Sequence, residues 1–487
     1  MQSLICSRIA CQVWFWLVLL LVAFPAVAVD TQRPSIALIL VDTLRADAVS
    51  AYGEVEGTTP VMDRLARGGL RYERAYAPAP WTLPSHATLL SGLGVERHRV
   101  SMPGRALLPE DVLTLAERLR DAGYETAAFS ENSIVSDTFQ LLQGFDHRRT
   151  SYMKESGIYV ELELLPALKK WVEQRDATRP FFVFVNMIDP HETYEIRAEN
   201  RFVPADASAS EIASRPKKSS RLLCGGLPNA SQIAVLHGLY LGDVSAADQK
   251  VGKILRLLRN GDNGAKGDGA RDLITVVTSD HGEYFGEDKL MGHQFGLHAA
   301  VLKVPLIVHG LAGAEPSVIT DVVGLEDIAP SILEWTGTKA TGELSGQALP
   351  QTPGRAAKAE RISFAAWTDT PRWMPELWRR EFVSEDLDQN RQFCAESDRV
   401  FGRMASILQH PFKFRWYERH PPQLYDLSWD PNERSDQARH QPEQVEKFME
   451  LIRPYLDAAG LEGEVEADAE PLSEQAVESL RALGYVE

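Results

Sequence analysis

Three apolar runs in this chain end on groups that can bind a cation. SIALILV, Ser35 to Val41, runs into Asp42; FFVFVNMI, Phe181 to Ile188, runs into Asp189; LITVVTS, Leu273 to Ser279, runs into Asp280-His281. Carboxylates and imidazoles together suit a divalent metal. One acidic residue after a strand is common loop chemistry and proves nothing by itself. Acidic groups at three run ends, with His191 and His281 close by, point to one shared metal pocket. A further segment, WTLPSHATLLSGL from Trp81 to Leu93, supplies a hydroxyl. Pro84 suits the first turn of a helix that runs to Ser91 and closes on Gly92, which leaves Thr82 at its N-terminal end. Exposed N–H groups and the helix field favour an anion there. A plain N-cap is the alternative reading of Thr82.

Such residues need a scaffold that brings distant run ends together. From residue 34 short apolar runs alternate with stretches of helical period, the pattern of a parallel sheet covered by helices on both faces. The three runs above and VPLIVHG, Val304 to Gly310, read as buried parallel strands. In doubly wound sheets the carboxyl ends of the strands form the ligand crevice. Helices are expected after Thr58-Thr59-Pro60, stopping at Gly68-Gly69, and from Pro109 to Ala122. The fold class is therefore α/β: a large, mostly parallel sheet covered by helices on both faces, with a smaller C-terminal α+β subdomain.

The expected boundaries are 34–345 for the catalytic domain, 350–460 for the C-terminal subdomain and 461–487 for an acidic linker with a terminal helix. Within the first, 194–232 is polar and reads as a lid or insertion. In the second, a hairpin around Phe412 to Leu427 precedes a helix from Pro442 to Leu456. Trp367, Trp373, Trp378 and Trp416 are expected to help wall the pocket.

Among 487 residues, 51 Lys and Arg against 68 Asp and Glu give a formal charge of 51 − 68 = −17, which argues against nucleic acid as a binding partner. A hydrophobic fraction of 44% excludes a disordered chain. Arg8, the apolar run Val13 to Val29 and the small-residue pattern Ala26-Val27-Ala28 read as a signal peptide over 1–28. The protein is then exported, periplasmic or extracellular; an uncleaved leader would instead tether it to the membrane. Cys6 and Cys11 lie in the leader, leaving Cys224 and Cys394, enough for one disulfide and too few for a Cys-based metal site.

The segment Thr82-Leu83-Pro84-Ser85-His86-Ala87-Thr88-Leu89-Leu90-Ser91-Gly92 resembles the signature of the sulfatase family in the alkaline phosphatase superfamily. That signature begins with Cys or Ser, then any residue, Pro, Ser, Arg, and ends on Leu-Thr-Gly. LVDTLRAD, PFFVFVNMIDPHETY, TSDHGEYFGE, GHQFGLHAAVLKVPLIVHG and LYDLSWDPNE follow the family's order over residues 35 to 435. The resemblance implies an alkaline phosphatase-like fold and an ester hydrolase. It makes Asp42, Asp280 and His281 ligands of a divalent ion, with Thr82 as nucleophile on the same ion. It also implies that His86, His191 and His293 surround the ester, His293 near the leaving group, and that Arg45, Asn132 and His298 bind substrate.

Four departures redirect this expectation. Thr82 cannot become the formylglycine on which sulfatases rely. His86 replaces an Arg, so a fixed charge becomes titratable. The family's Gly-Lys-Trp-His segment is missing, and Ser130-Glu131-Asn132 stands there instead. Asp42 is followed by Thr43 and Asp280 by His281, which moves metal preference from calcium toward manganese or zinc. One ion is expected; a second would need Asp189, His191 and His293. The leading expectation is a metal-dependent hydrolase of phosphate or phosphonate esters, acting on a small-molecule, sugar or lipid ester. The alternatives are a sulfate-ester hydrolase working without formylglycine and a non-catalytic binding descendant of the fold.

Overall fold

Strand β1 (Ser35–Val41) is apolar on both sides of its pleat, and it lies inside the sheet. In the computed structural model Ile36, Leu38 and Leu40 enter one core layer, while Ala37, Ile39 and Val41 enter the layer on the opposite face. The structure describes residues 33–53, 55–101, 105–153, 159–208, 212, 228–260, 273–293, 296–353, 361–367, 402–462 and 472–482. The leader, Cys224, Cys394, Trp373, Trp378 and residues 209–211 and 213–227 of the expected insertion lie outside them.

The remaining strands of this sheet are β2 (Leu70–Tyr76), β3 (Glu125–Ser130), β4 (His147–Thr150), β5 (Phe181–Met187), β6 (Leu273–Thr278), β7 (Leu306–His309) and β8 (Ser317–Gly324). Their order is β2-β7-β6-β1-β5-β3-β4, with β8 and the short stretch Lys303–Val304 also pairing with β2. Strands β6, β1, β5, β3 and β4 are mutually parallel. Their carboxyl ends therefore share one edge of the sheet, and Asp42, Asn132, Asp189 and Asp280 all follow there. VPLIVHG departs from expectation: β7 is antiparallel to both β6 and β2. A continuous apolar run reports burial on both faces and carries no direction.

Helices cover both faces. α1 (Pro60–Arg67), α4 (Leu164–Gln174) and α5 (Ala230–Asn260) fill one layer through Met62, Leu65, Leu168, Trp171, Leu239 and Val251. α2 (Thr82–Ser91), α3 (Leu115–Asp121) and α6 (Ile328–Trp335) fill the other through Leu89, Leu119 and Ile332. α3 starts later than Pro109 because Thr114 forms a capping box: its hydroxyl accepts from Glu117 N at 3.1 Å, and its amide donates to the Glu117 carboxylate at 2.8 Å. α5, at 31 residues, is about 46 Å long. It begins inside the expected insertion and was not foreseen as a helix.

Toward the C-terminus, β9 (Ser363–Trp367), β10 (Met404–Gln409), β11 (Phe412–Tyr417) and β12 (Gln423–Asp426) form an antiparallel sheet in that order. The hairpin and the following helix, α7 (Pro442–Ala459), lie where expected. A short helix, α8 (Glu474–Ala482), comes last. Phe364, Ile407, Phe414, Phe448 and Ile452 continue the same core layer as Leu83 and Leu89. Pro34–Glu487 accordingly forms a single compact unit. Among the described residues no helix is long and apolar enough to cross a membrane.

Candidate active site

The shared strand edge brings together residues far apart in sequence. Asp42, Asp280 and His281 are fully buried, with one ligand atom from each within 4.8 Å of the others. Asn132 Nδ2 donates to Asp42 Oδ2 at 2.7 Å. Asp280 Oδ1 accepts from the amides of Thr43 and His281 at 3.2 and 3.0 Å. The other two oxygens, Asp42 Oδ1 and Asp280 Oδ2, are buried without a hydrogen-bond partner among the described residues. His281 Nε2 stands 3.9 Å from the first and 3.3 Å from the second. Its Nδ1 lies 3.0 Å from the Gly282 carbonyl, an arrangement that puts the proton on Nδ1 and the lone pair on Nε2. Two orphaned carboxylate oxygens and an imidazole lone pair at one place fit a divalent cation. Burial and the charge of Asp280 together push the Asp42 carboxyl well above its usual range, a strain that a bound cation would relieve.

The backbone here is held under constraint. Thr43 has φ 53°, unusual for a β-branched residue, and is stabilised because Tyr240 donates to its carbonyl at 2.9 Å and accepts from Arg45 N at 2.9 Å. Beside His281, a Cβ on Gly282 would meet the Ala300 carbonyl oxygen at 2.1 Å, so only glycine fits.

Thr82 opens α2, and the N-cap position belongs to Trp81 with no side-chain capping bond. The Thr82 hydroxyl lies 3.5 Å from His281 Nε2, on the metal group rather than on a cap. One turn on, His86 Nδ1 donates to the Thr82 carbonyl at 2.9 Å and sits 3.6 Å from Asp280 Oδ2. Burial lowers its pKa, so at neutral pH it is an uncharged brace for the turn carrying Thr82. Trp367, one of the expected pocket-wall tryptophans, packs edge-on against Trp81 at 6.3 Å.

Three imidazoles gather on the other side. The His293 ring is 4.7 Å from His281 and 5.0 Å from His191. His293 Nδ1 lies 3.0 Å from Glu283 Oε1, which fixes the ring. Burial drives His191, His281 and His293 down to about 4, and lifts Glu283 to about 8. Relative exposure is nil at Thr82, 3% at His293 and 8% at His191, so solvent meets the group on its histidine side.

The remaining expected residues are held by other protein groups. Arg45 is committed to Asp47, to Glu287 and to the Glu283 carbonyl, which makes it a brace behind the site rather than a substrate ligand. His298 is held among Tyr284, Arg415 and Asp288. Asn132 is buried and spends its amide on Asp42. The second ion site does not form around Asp189, because Lys250 Nζ lies 2.9 Å and Arg197 Nη2 3.5 Å from its carboxylate. Two protein cations already pair with its charge, and among the described residues the group able to hold a metal is Asp42, Asp280 and His281. Glu283, Glu131, Lys250 and Tyr240 escaped the sequence reading; only Glu283, two residues after His281, carried a local signal.

A family model described as Sulfatase matches residues 34–338. The multifunctional alkaline phosphatase superfamily protein PehA of Trinickia caryophylli is 23% identical over 517 residues, covering 88% of this chain and 94% of that protein. The Delta 4,5-hexuronate-2-O-sulfatase of Bacteroides thetaiotaomicron is 22% identical over 449 residues, covering 85% and 86%. Among solved structures, the phosphonate monoester hydrolase of Agrobacterium radiobacter superposes with a TM-score of 0.66 at 21% identity, covering 88% of this chain and 96% of that one. That last likeness speaks for an alkaline phosphatase-like fold.

Proposed function

The chain belongs to the sulfatase family of ester hydrolases, and on that premise we propose that it is an exported, metal-dependent hydrolase of phosphate or phosphonate esters with Thr82 as nucleophile. The observation that carries this reading is the Thr82 hydroxyl at a helix N-terminus, 3.5 Å from His281 Nε2 and beside two orphaned carboxylate oxygens. Asp42, Asp280 and His281 would hold one divalent ion, manganese or zinc in preference to calcium because an imidazole is among the ligands. When bound, that ion would neutralise the carboxylates and make the hydroxyl more acidic.

Thr82 Oγ1 attacks phosphorus, the Oγ1–P bond forms and the bond to the alcohol oxygen breaks. His293, uncharged at neutral pH and held by Glu283, takes the proton that the Thr82 hydroxyl gives up and passes it to the departing oxygen. Water then attacks phosphorus and breaks the Oγ1–P bond, restoring the threonine. The α2 N–H groups and His191 face the anionic oxygens. A threonine sulfate has no aldehyde hydrate to expel it, which is why phosphorus is preferred over sulfur. The second reading, a sulfate-ester hydrolase without formylglycine, draws on the sulfatases among the relatives. The leader over 1–28 supports export, and the alcohol half is a small-molecule, sugar or lipid group.

Paired p-nitrophenyl phosphate, bis-p-nitrophenyl phosphate, phenylphosphonate and sulfate esters, assayed at one enzyme concentration with manganese, test this choice. Mass spectrometry of protein trapped with a slow substrate should show phosphate or phosphonate on Thr82. Sulfate on that residue with turnover of the sulfate ester alone would replace the first reading by the second.

A further inference from the structure

Helix α5 does more than cover the sheet. At 100° per residue, Tyr240, Asp243, Ala247 and Lys250 fall within roughly 80° of its circumference. Each polar member of that face holds a different loop at the site edge. Tyr240 bonds Thr43 and Arg45 after β1. Asp243 accepts from Glu195 N at 2.9 Å and from Arg197 Nε at 2.6 Å, just beyond His191. Lys250 Nζ donates to both oxygens of Glu131 at 3.0 Å and to Asp189 Oδ2 at 2.9 Å.

The last of these joins two loops that carry site groups. Glu131 Oε2 also accepts from Ile188 N at 3.1 Å, so its carboxylate is tied to the β5 loop as well as to the ammonium. The next residue, Asn132, is the one that orients Asp42. Asp189 stands two residues before His191, whose amide closes a turn onto the Ile188 carbonyl at 2.8 Å. None of these partners belongs to the candidate metal group, and the Lys250 side chain is only 22% exposed.

We propose that Lys250 is a positioning residue: by clamping Glu131 and Asp189 it sets Asn132 against Asp42 on one side and His191 against the substrate on the other. The Glu131 arm acts on ion affinity and the Asp189 arm on turnover. This rests on the function proposed above, but its first arm is read without any turnover.

The test uses the full mature chain and Mn²⁺ alone as probe, by equilibrium dialysis, followed by steady-state kinetics on the best ester. Lys250→Met should raise the Mn²⁺ dissociation constant and lower kcat by about 10- to 100-fold each, the range seen when groups supporting metal ligands are removed, with KM nearly unchanged. Lys250→Arg, which keeps a cation able to bridge two carboxylates, should recover most of both losses. Asp189→Asn should lower kcat while leaving the Mn²⁺ constant as in the wild type. Wild-type behaviour of Lys250→Met in both measurements would overturn the proposal, and so would Lys250→Arg failing as badly as Lys250→Met. Should Lys250→Met not fold, Asp189→Asn decides: a shift in its Mn²⁺ constant, or an unaltered kcat, refutes the two-arm clamp. Wild-type protein that binds Mn²⁺ but hydrolyses none of the esters would refute the proposed function alone.

Discussion

Glu433 and Asp42 are both carboxylates sealed from solvent, but their surroundings answer them differently. Glu433 faces Lys413 Nζ at 2.8 Å and Arg415 Nη2 at 2.9 Å, and also accepts from Ala299 N at 2.7 Å. Burial alone would raise its pKa; the two cations outweigh that and bring it down to about 2. Asp42 has an amide on one oxygen and no hydrogen-bond partner on the other, and its nearest strong influence is a second carboxylate. A buried charge is tolerable only when paired or coordinated. The Glu433 charge is paired by two protein cations, Arg415 meeting Oε2 as an ion pair without hydrogen-bond geometry, and belongs to architecture, whereas no Lys or Arg among the described residues pairs with Asp42. That contrast separates a structural ion cluster from a ligand site more sharply than acidity or burial does.

The strongest challenge to this contrast is to remove each carboxylate in turn, since the two changes should act on stability with opposite sign. Asp42→Asn should cut activity at least about 100-fold and abolish stabilisation by Mn²⁺. In chelator-treated protein it should instead raise stability by about 1–3 kcal/mol, because an unsatisfied buried charge disappears. Thermal melts with and without chelator read both effects, and a destabilised chelator-treated variant would break the comparison.

Glu433→Gln should do the reverse, costing about 3–5 kcal/mol by stranding Lys413 and Arg415 while leaving Mn²⁺ stoichiometry intact. The wild type should also lose this contribution in acid. With a folded pKa of about 2 against an ordinary 4.5, the stabilisation is whole above pH 4.5 and fades as pH falls toward 2. A melting profile of Glu433→Gln as steep as the wild type over that interval would show that Glu433 is not the group responsible.

Within the site, His293→Ala should slow hydrolysis of alkyl esters by about 10²- to 10⁴-fold and p-nitrophenyl esters far less, because a good leaving group needs no proton. Equal losses on both would remove His293 from the leaving-group side. The smallest effect is expected at Thr114→Ala, which touches neither charge group: about 1 kcal/mol from the lost cap, with kcat and the Mn²⁺ constant unchanged.

Much of this was legible in the sequence for a definite reason. Strand ends are local signals: an apolar run that stops at Asp42 or Asp280-His281 marks both an element and a candidate ligand, and parallel pairing then collects those ends. Thr82 was legible for the same reason, since Pro84 and Gly92 bracket its helix. The direction of β7 was not, because hydrophobic pattern has no polarity along the chain. Nor were the true partners of Arg45, Asn132 and His298, since the motif context that singled them out says nothing about what their side chains touch. Lys250 was hidden most thoroughly. On a helix surface it looks like any solvated lysine, and only the arrival of Glu131 and Asp189 from two other strands gives it work.

The hydrogen bond from Thr43 N to Asp280 joins residues 237 positions apart. At about 5–20 residues per second of synthesis, one half of the cation group waits about 12–47 s for the other half to exist. For all but the first 39 residues of that interval the nascent chain carries both Asp42 and Thr82 but cannot bring Asp280 to them, so the group assembles late and abruptly, with the pairing of β1 and β6. The separation works as a timer: a ribosome-bound fragment stopped before residue 280 would carry Asp42 and Thr82 and still lack the group that Asp280 and His281 complete.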